Sequence, residues 1–188
     1  MGYDIIAFHL SNEELNAMAL EKLNTVLKES GAKLEDRWDS PADFADELRA
    51  EYVVTQMRRS AFDKYSLAIF RALNAEDLYG ECSGIMQDRW FDLNELEQAL
   101  ASLDYLGADV QFTLPDEEIK RRHDMVDAAI RKAAAKNPEL AEALGDDDAE
   151  TTVGSTHEDD LLTEKEFLSA CVKFCKDNDK DKLRIYFG

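Results

Sequence analysis

The segment Gly80-Glu81-Cys82-Ser83-Gly84 has the residue types of a turn that exposes a nucleophile. Glycines on both sides of a reactive side chain permit a sharp turn, and the thiolate is the form of cysteine that attacks a substrate. Catalysis would also need a base, for which the chain offers His9, His123 and His157. A nucleophile elbow follows a buried strand, however, and the residues just before this segment are polar. We therefore interpret it as a structural turn and keep Cys82 as the candidate nucleophile of an alternative, enzymatic function.

Arg58 and Arg59 form a dense cation pair in an acidic chain, without a local acidic partner, and they lead into an aromatic segment. Two adjacent guanidinium groups can bind a phosphate or a carboxylate through charge-assisted hydrogen bonds. The second cation cluster, Lys120-Arg121-Arg122-His123, follows acidic residues 116–118 at the spacing that favours ion pairs along a helix. We expect surface ion pairs in that cluster, and we predict that Arg58 and Arg59 bind an anion or a partner.

Two further groups have the residue types of metal sites. Cys171 and Cys175 would share one helix face, but that face is apolar, so we expect the thiols to pack in the core. The run Asp177-Asn178-Asp179-Lys180-Asp181 resembles the opening of an EF-hand calcium loop. The glycine and the final glutamate of that loop are replaced here by Lys182 and Gly188. We predict a polar turn at this run, and no metal or cofactor site.

The charge of the chain limits its partners. Its 41 Asp and Glu residues against 22 Lys and Arg residues give a net charge of -19. Phosphate neutralisation dominates nucleic-acid affinity, so this surface should repel nucleic acids and anionic membranes and attract a basic protein. Residues 145–160 are rich in acids and poor in apolar side chains, which predicts a mobile acidic loop. The residues that we expect to bind a partner there are Asp146, Asp147, Asp148, Glu158, Asp159 and Asp160.

A recurring helix-start pattern organises the rest of the chain. Ser11, Asp92 and Thr163 each precede a glutamate at the third following position, which predicts three capping boxes. Each also has apolar residues just before the cap and at the fourth helical position, as in a hydrophobic staple. Other helices are predicted from Pro41 to about Tyr52, from Phe62 to Leu73, and after Pro115, where Ile119, Val126, Ile130 and Ala133 should be buried.

Strands are predicted at residues 3–8 and 183–187, where apolar, aromatic and β-branched residues predominate. Residues 110–114 are a third candidate strand, in the middle of the chain. A small sheet that joins the two ends of the chain is the simplest arrangement. The length of 188 residues with 45% hydrophobic residues is enough for one core. The predicted fold is therefore α+β, a helix-dominated single domain over residues 1–188.

The opening segment Gly2-Tyr3-Asp4-Ile5-Ile6-Ala7-Phe8, together with Met57-Arg58-Arg59-Ser60-Ala61-Phe62, resembles a family of short bacterial proteins of unknown function. The resemblance implies a bacterial, intracellular origin. It implies no catalytic residue, because no activity is attached to that family.

The function that these observations favour is non-enzymatic. We expect an acidic interaction module that binds a basic protein partner, in the manner of an immunity protein or a nucleic-acid mimic. The alternative is a small hydrolase or transferase with a cleft that uses Cys82 or Arg58 and Arg59. The three cysteines suggest no disulfide framework, and residues 1–4 do not begin a signal peptide, so the expected location is the cytoplasm.

Overall fold

A computed structural model describes residues 2–30, 50–60, 63–80, 83–84, 87–105, 107–136 and 161–188. The strands within these ranges are β1 (Gly2–Phe8), β2 (Val53–Ser60), β3 (Tyr79–Gly80), β4 (Ser83–Gly84), β5 (Gln87–Asp92) and β6 (Lys182–Phe187). The helices are α1 (Asn12–Ser30), α2 (Ala68–Ala72), α3 (Leu93–Asp104), α4 (Ala108–Phe112), α5 (Asp116–Ala134) and α6 (Leu162–Asp177), with a 3-10 turn at Glu76–Leu78.

The main sheet is antiparallel, with the strand order β2-β1-β6-β5. Strand β1 pairs with β6, so that Ile5 lies opposite Phe187 and Ala7 lies opposite Ile185. Asp4 and Gly188 exchange two backbone hydrogen bonds of 2.6 and 3.0 Å beyond this ladder. The predicted pairing of the two ends of the chain and the α+β class are confirmed.

One face of the sheet carries the core. Because side chains alternate along a strand, Tyr3, Ile5 and Ala7 of β1 face the same side as Leu183 and its alternate neighbours in β6. Helices α3 and α6 pack on that side, with Leu96, Leu103, Phe167, Leu168, Cys171 and Cys175 buried. Each fully buried Leu or Phe contributes about 1.5–3 kcal/mol, so this layer is the main source of stability.

Two of the three predicted capping boxes are present. Ser11 Oγ accepts a hydrogen bond from the Glu14 amide, and the Glu14 carboxylate accepts one from the Ser11 amide. Asp92 and Glu95 make the same reciprocal pair at the start of α3. The box at Thr163 is wrong, because α6 already begins at Leu162 and has no side-chain cap. Burial of Leu161 and Glu164 fixes the chain here, so the helix begins before Thr163.

Three other predictions need correction. The strand proposed at residues 110–114 overlaps helix α4 (Ala108–Phe112), and the strands that come from the middle of the chain are β2 and β5, at the two edges of the sheet. The predicted helix from Phe62 is confined to α2, because residues 63–67 form a bend and turns. In α5, Ile130 and Ala133 are exposed rather than buried, and Ile119 is only half-buried.

Parts of the earlier predictions lie outside the described residues. They include most of the helix from Pro41, since residues 31–49 are not described, and Tyr52 immediately precedes strand β2. The acidic loop at residues 145–160 also lies outside. No helix in the described ranges is both long enough and apolar enough to cross a membrane.

Candidate functional site

The face of the sheet that points away from the core carries polar and aromatic side chains. In one row across the strands, Ile6 lies between Gln56 and Tyr186, and Asp88 lies beyond Tyr186. In the next row, Phe8 lies between Val53 and Arg184, and Trp90 lies beyond Arg184. The alternation of strand side chains therefore brings together residues that are far apart in the sequence.

These two rows form the floor of a cleft of about 710 Å³. A volume in the range of roughly 300–1,000 Å³ is typical of small-molecule sites. The start of α1 and the residues before β2 form parts of its wall. Its lining residues within the described ranges are Ile6, Phe8, Asn12, Ala50, Val53, Gln56, Gln87, Asp88, Arg184 and Tyr186.

Arg184 is the best-anchored polar group of the cleft. Its Nε donates to the Leu10 carbonyl at 2.9 Å, and its Nη1 donates to Asn12 Oδ1 at 2.8 Å and to Asp88 Oδ2 at 2.5 Å. The guanidinium carbon lies 4.7 Å from the centre of the Phe8 ring, within the range of a cation–π contact. Because its side chain is only 4% exposed, Arg184 is held in one position before any ligand arrives.

Arg58 and Arg59 lie on opposite faces of β2. Arg58 is 74% exposed and is 3.8 Å from Asp4, a separation typical of a loose surface pair. Arg59 is buried, and its Nε and Nη2 donate to the two carboxylate oxygens of Glu164 at 2.8 and 2.6 Å. Its Nη1 donates to Asp63 at 3.1 Å. The expectation that this pair has no acidic partner is therefore wrong, and the two guanidinium groups do not converge on one anion.

The Arg59 group is a structural ion pair. Burial by itself lowers the pKa of Arg59, but the hydrogen bond and the charge of Glu164, with the charge of Asp63, raise it overall. Glu164 is completely buried, so its charge depends on this pairing. The pair joins β2 to α6 across the core. Of these two arginines, Arg58 is the one with an exposed guanidinium, and anion binding by Arg58 remains a prediction.

A second buried arginine ties α5 to the rest of the core. Arg122 donates to Glu118 at 3.0 Å and to Ser66 Oγ at 2.9 Å, and it also donates to the Tyr79 hydroxyl. The Tyr3 hydroxyl donates to the Ser66 carbonyl, and burial, followed by the neighbouring Tyr79, raises the pKa of Tyr3. The Glu118–Arg122 pair predicted from helical spacing is present, but it is partly buried rather than a surface pair.

The cysteines take different places. Cys171 and Cys175 are free thiols in the core, and burial raises the pKa of both. The prediction that they pack as apolar residues is confirmed. Cys82 lies outside the described residues, but its neighbours Gly80 and Ser83 pair as antiparallel strands. A nucleophile elbow joins a strand to a helix, so the flanking structure has a different form, and a catalytic role for Cys82 stays a prediction.

The candidate bases in the described part of the chain, His9 and His123, lie in different parts of the fold. His9 lies between the rings of Tyr52 and Phe174, and its Nδ1 is buried without a hydrogen bond to the described residues. Burial and the charge of Lys180 lower its pKa. Arg58 lies opposite Asp4 in the strand register, and Asp4 is five residues before His9. Arg58 and His9 are therefore about 17 Å apart along the strand direction. His123 lies on α5, and His157 lies outside the described residues.

The run from Asp177 to Asp181 is a polar turn between α6 and β6, as predicted, with Asp179 at a φ of 51°. Among the described residues, no group of three or more His, Cys, Asp and Glu side chains is arranged to hold a metal ion.

Of the 41 Asp and Glu residues in the chain, seven lie in residues 145–160, which contain no Lys or Arg.

Comparison of the chain with protein-family models, with curated proteins and with solved structures gives no match. The function has to be argued from the residues themselves.

The cleft was missed by the sequence analysis because its residues come from four strands and the start of α1. One signal was available. The sequence predicts a strand at residues 183–187, and alternation places Arg184 and Tyr186 on the face opposite Leu183, Ile185 and Phe187. The pairing of Arg184 with Asp88 depends on strand order and could not be read from spacing.

Proposed function

We propose that this protein is a non-enzymatic interaction module that binds a basic protein partner through its acidic residues. The observation that carries the proposal is the uneven distribution of charge. Residues 145–160 contain seven Asp and Glu residues and no Lys or Arg. Such a concentration of negative charge attracts a cationic surface and accelerates its approach.

Exposed carboxylates on the described part of the chain add to its general negative charge and are not part of the proposed binding centre. Glu13, Glu21 and Glu29 of α1 are exposed, and none of them forms an ion pair with a described residue. By contrast, the carboxylate that is fully buried, Glu164, is neutralised by Arg59. The fully buried carboxylate is thus paired inside, while these three glutamates of α1 face water.

The acidic residues at 145–160 are the proposed centre of binding, with Asp146, Asp147, Asp148, Glu158, Asp159 and Asp160 as its charges. A cytoplasmic location belongs to the same proposal. Cys171 and Cys175 are reduced and buried, which is compatible with a compartment that keeps thiols reduced.

The test uses a fluorescent lysine-rich peptide as the probe, with a glycine- and serine-rich peptide of equal length as the control ligand. One variant neutralises the six loop acids as Asn or Gln. The matched variant neutralises six exposed acids elsewhere, namely Glu13, Glu21, Glu29, Asp116, Glu117 and Asp124, so that both variants lose the same charge. Fluorescence anisotropy gives the affinity at several salt concentrations.

We expect affinity for the lysine-rich peptide to fall steeply as salt rises, because the attraction is screened within a Debye length of about 10 Å at 0.1 M. The loop variant should lose much more affinity than the matched variant. Binding that does not change with salt would remove the electrostatic basis of the proposal. Equal losses in the two variants would show that net charge alone attracts the peptide and that the loop is not a binding site.

A further inference from the structure

The bottom of the cleft holds a hydrogen-bond donor and an acceptor that the fold does not use. Arg184 makes its hydrogen bonds through Nε and Nη1, and its Nη2 makes none with the described residues. Asp88 accepts from Asn12 and Arg184 through Oδ2, and its Oδ1 accepts from no described residue. The Arg184 side chain is only 4% exposed and is held by three hydrogen bonds, one of which joins its Nη1 to Asp88 Oδ2. The unused donor and the unused acceptor therefore belong to two groups that are bonded to each other.

The charges of the cleft cancel. Arg184 and Asp88 are the charged residues among its described lining, and they are bonded to each other at 2.5 Å. A charged ligand would therefore lose hydration without gaining a net opposite charge, which is unfavourable. The strongly negative chain also opposes a phosphate. An uncharged polar ligand matches this balance better than an anion or a cation.

The remaining lining fits a flat body with polar edges. Ile6, Phe8 and Val53 supply an apolar floor, and the Tyr186 ring lies beside them. The lining also includes side-chain amides, which can both donate and accept hydrogen bonds. These are the groups of Asn12, Gln56 and Gln87.

We propose that the cleft binds an uncharged planar heterocycle whose edge presents a hydrogen-bond acceptor next to a donor, as the lactam edge of a nucleobase or nucleoside does. The ligand carbonyl accepts from Arg184 Nη2, and its adjacent N–H donates to Asp88 Oδ1. The rest of the ring packs on the apolar floor. This site goes beyond the acidic interaction function and does not depend on it.

Uridine and inosine are suitable probes, with N3-methyluridine and N1-methylinosine as controls that lack the N–H donor. Uridine monophosphate tests the effect of charge. Ligand-detected saturation-transfer NMR and calorimetry on the full chain measure binding. The side-chain amide signals of Asn12, Gln56 and Gln87 report whether the ligand occupies the cleft.

We expect a nucleoside with the intact edge to bind and to shift those amide signals. Loss of one hydrogen bond is worth about 1 kcal/mol, so the methylated control should bind about fivefold more weakly. Uridine monophosphate should bind no more tightly than uridine. Asp88→Asn should also weaken binding about fivefold, whereas Glu97→Gln, which removes the same charge from α3, should have no effect.

Failure of both nucleosides to bind would overturn the proposal, as would equal binding of the methylated and unmethylated forms. Binding that leaves the three amide signals unmoved would place the ligand elsewhere and would overturn it as well. Circular dichroism checks the fold of each variant. The comparison of methylated with unmethylated probes uses the unaltered protein, so it decides the question even if Asp88→Asn does not fold.

Discussion

Breaking the buried pair of Arg59 and Glu164 should cost far more stability than breaking a surface pair with an equal N–O distance. Arg59 Nη2 lies 2.6 Å from Glu164 Oε2, with side-chain exposures of 7% and 0%. Lys176 Nζ lies 2.6 Å from Glu97 Oε1, with exposures of 55% and 44%. Glu164→Gln and Glu97→Gln therefore compare a buried arginine pair that has two hydrogen bonds with an exposed lysine pair that has one contact of equal length.

The magnitude follows from what each substitution leaves behind. Removing one partner of a buried pair usually costs about 3–5 kcal/mol, because the other charge stays buried without compensation. Asp63 still accepts from Arg59 at 3.1 Å after Glu164→Gln, so the low end, about 3 kcal/mol, is expected. Glu97→Gln should cost at most about 1 kcal/mol, because water compensates both groups.

Urea unfolding followed by circular dichroism measures both free energies of unfolding. In a chain of this size, 3 kcal/mol corresponds to a fall in Tm of about 6–12 °C, which thermal unfolding can check. A double substitution, Arg59→Met with Glu164→Leu, should recover most of the loss, since it removes both buried charges. If Glu164→Gln costs no more than Glu97→Gln, the argument from burial is wrong.

Three other predictions test particular contacts. Asp92→Ala should lower the free energy of unfolding by about 1 kcal/mol, because α3 loses its cap. Thr163→Ala should lower it by less than about 0.5 kcal/mol, because α6 has no side-chain cap. Equal losses in urea unfolding would contradict the assignment of the caps. Hydrogen bonds from Arg121 and Arg122 lower the pKa of Glu118 from 4.5 to about 2, so its contribution to stability is present above pH 4.5 and is lost as pH falls through about 2. The stability difference between the wild type and Glu118→Gln should therefore shrink over that interval, and a constant difference would exclude the shift. Cys171 and Cys175 should react with a thiol reagent only on unfolding, because both thiols are buried and their pKa values are raised. Rapid modification of either thiol in the native protein would contradict this burial. The native rate of Cys82, compared with that of a free cysteine, tests the thiolate hypothesis in the same assay.

The sequence by itself determined the elements whose signals are local. Ser11 and Asp92 mark helix starts because a cap needs only residues within one turn, and both capping boxes are present. The strands at the two ends of the chain were also predictable, since their apolar and β-branched residues favour extended backbone. Net charge is a property of composition alone.

Local signals failed where contacts between distant residues decided the outcome. Thr163 has the spacing of a cap, yet the burial of Leu161 and the pairing of Glu164 with Arg59 fix the start of α6 elsewhere. Apolar and polar residues alternate over residues 110–114 as in a strand, but helix α4 ends only at Phe112. The chain after the helix is held by a hydrogen bond from the Leu114 amide to the Lys64 carbonyl.

The tertiary structure alone decided which polar residues meet. Arg59 reads as an open cation in the sequence, and its partner Glu164 is 105 residues away. Arg184 and Asp88 are separated by 96 residues and become neighbours only because β6 pairs with β5. Strand order is set by how the apolar faces pack, which spacing along one segment does not encode. For that reason the charge of this protein could be read from its sequence, while the cleft on its sheet could not.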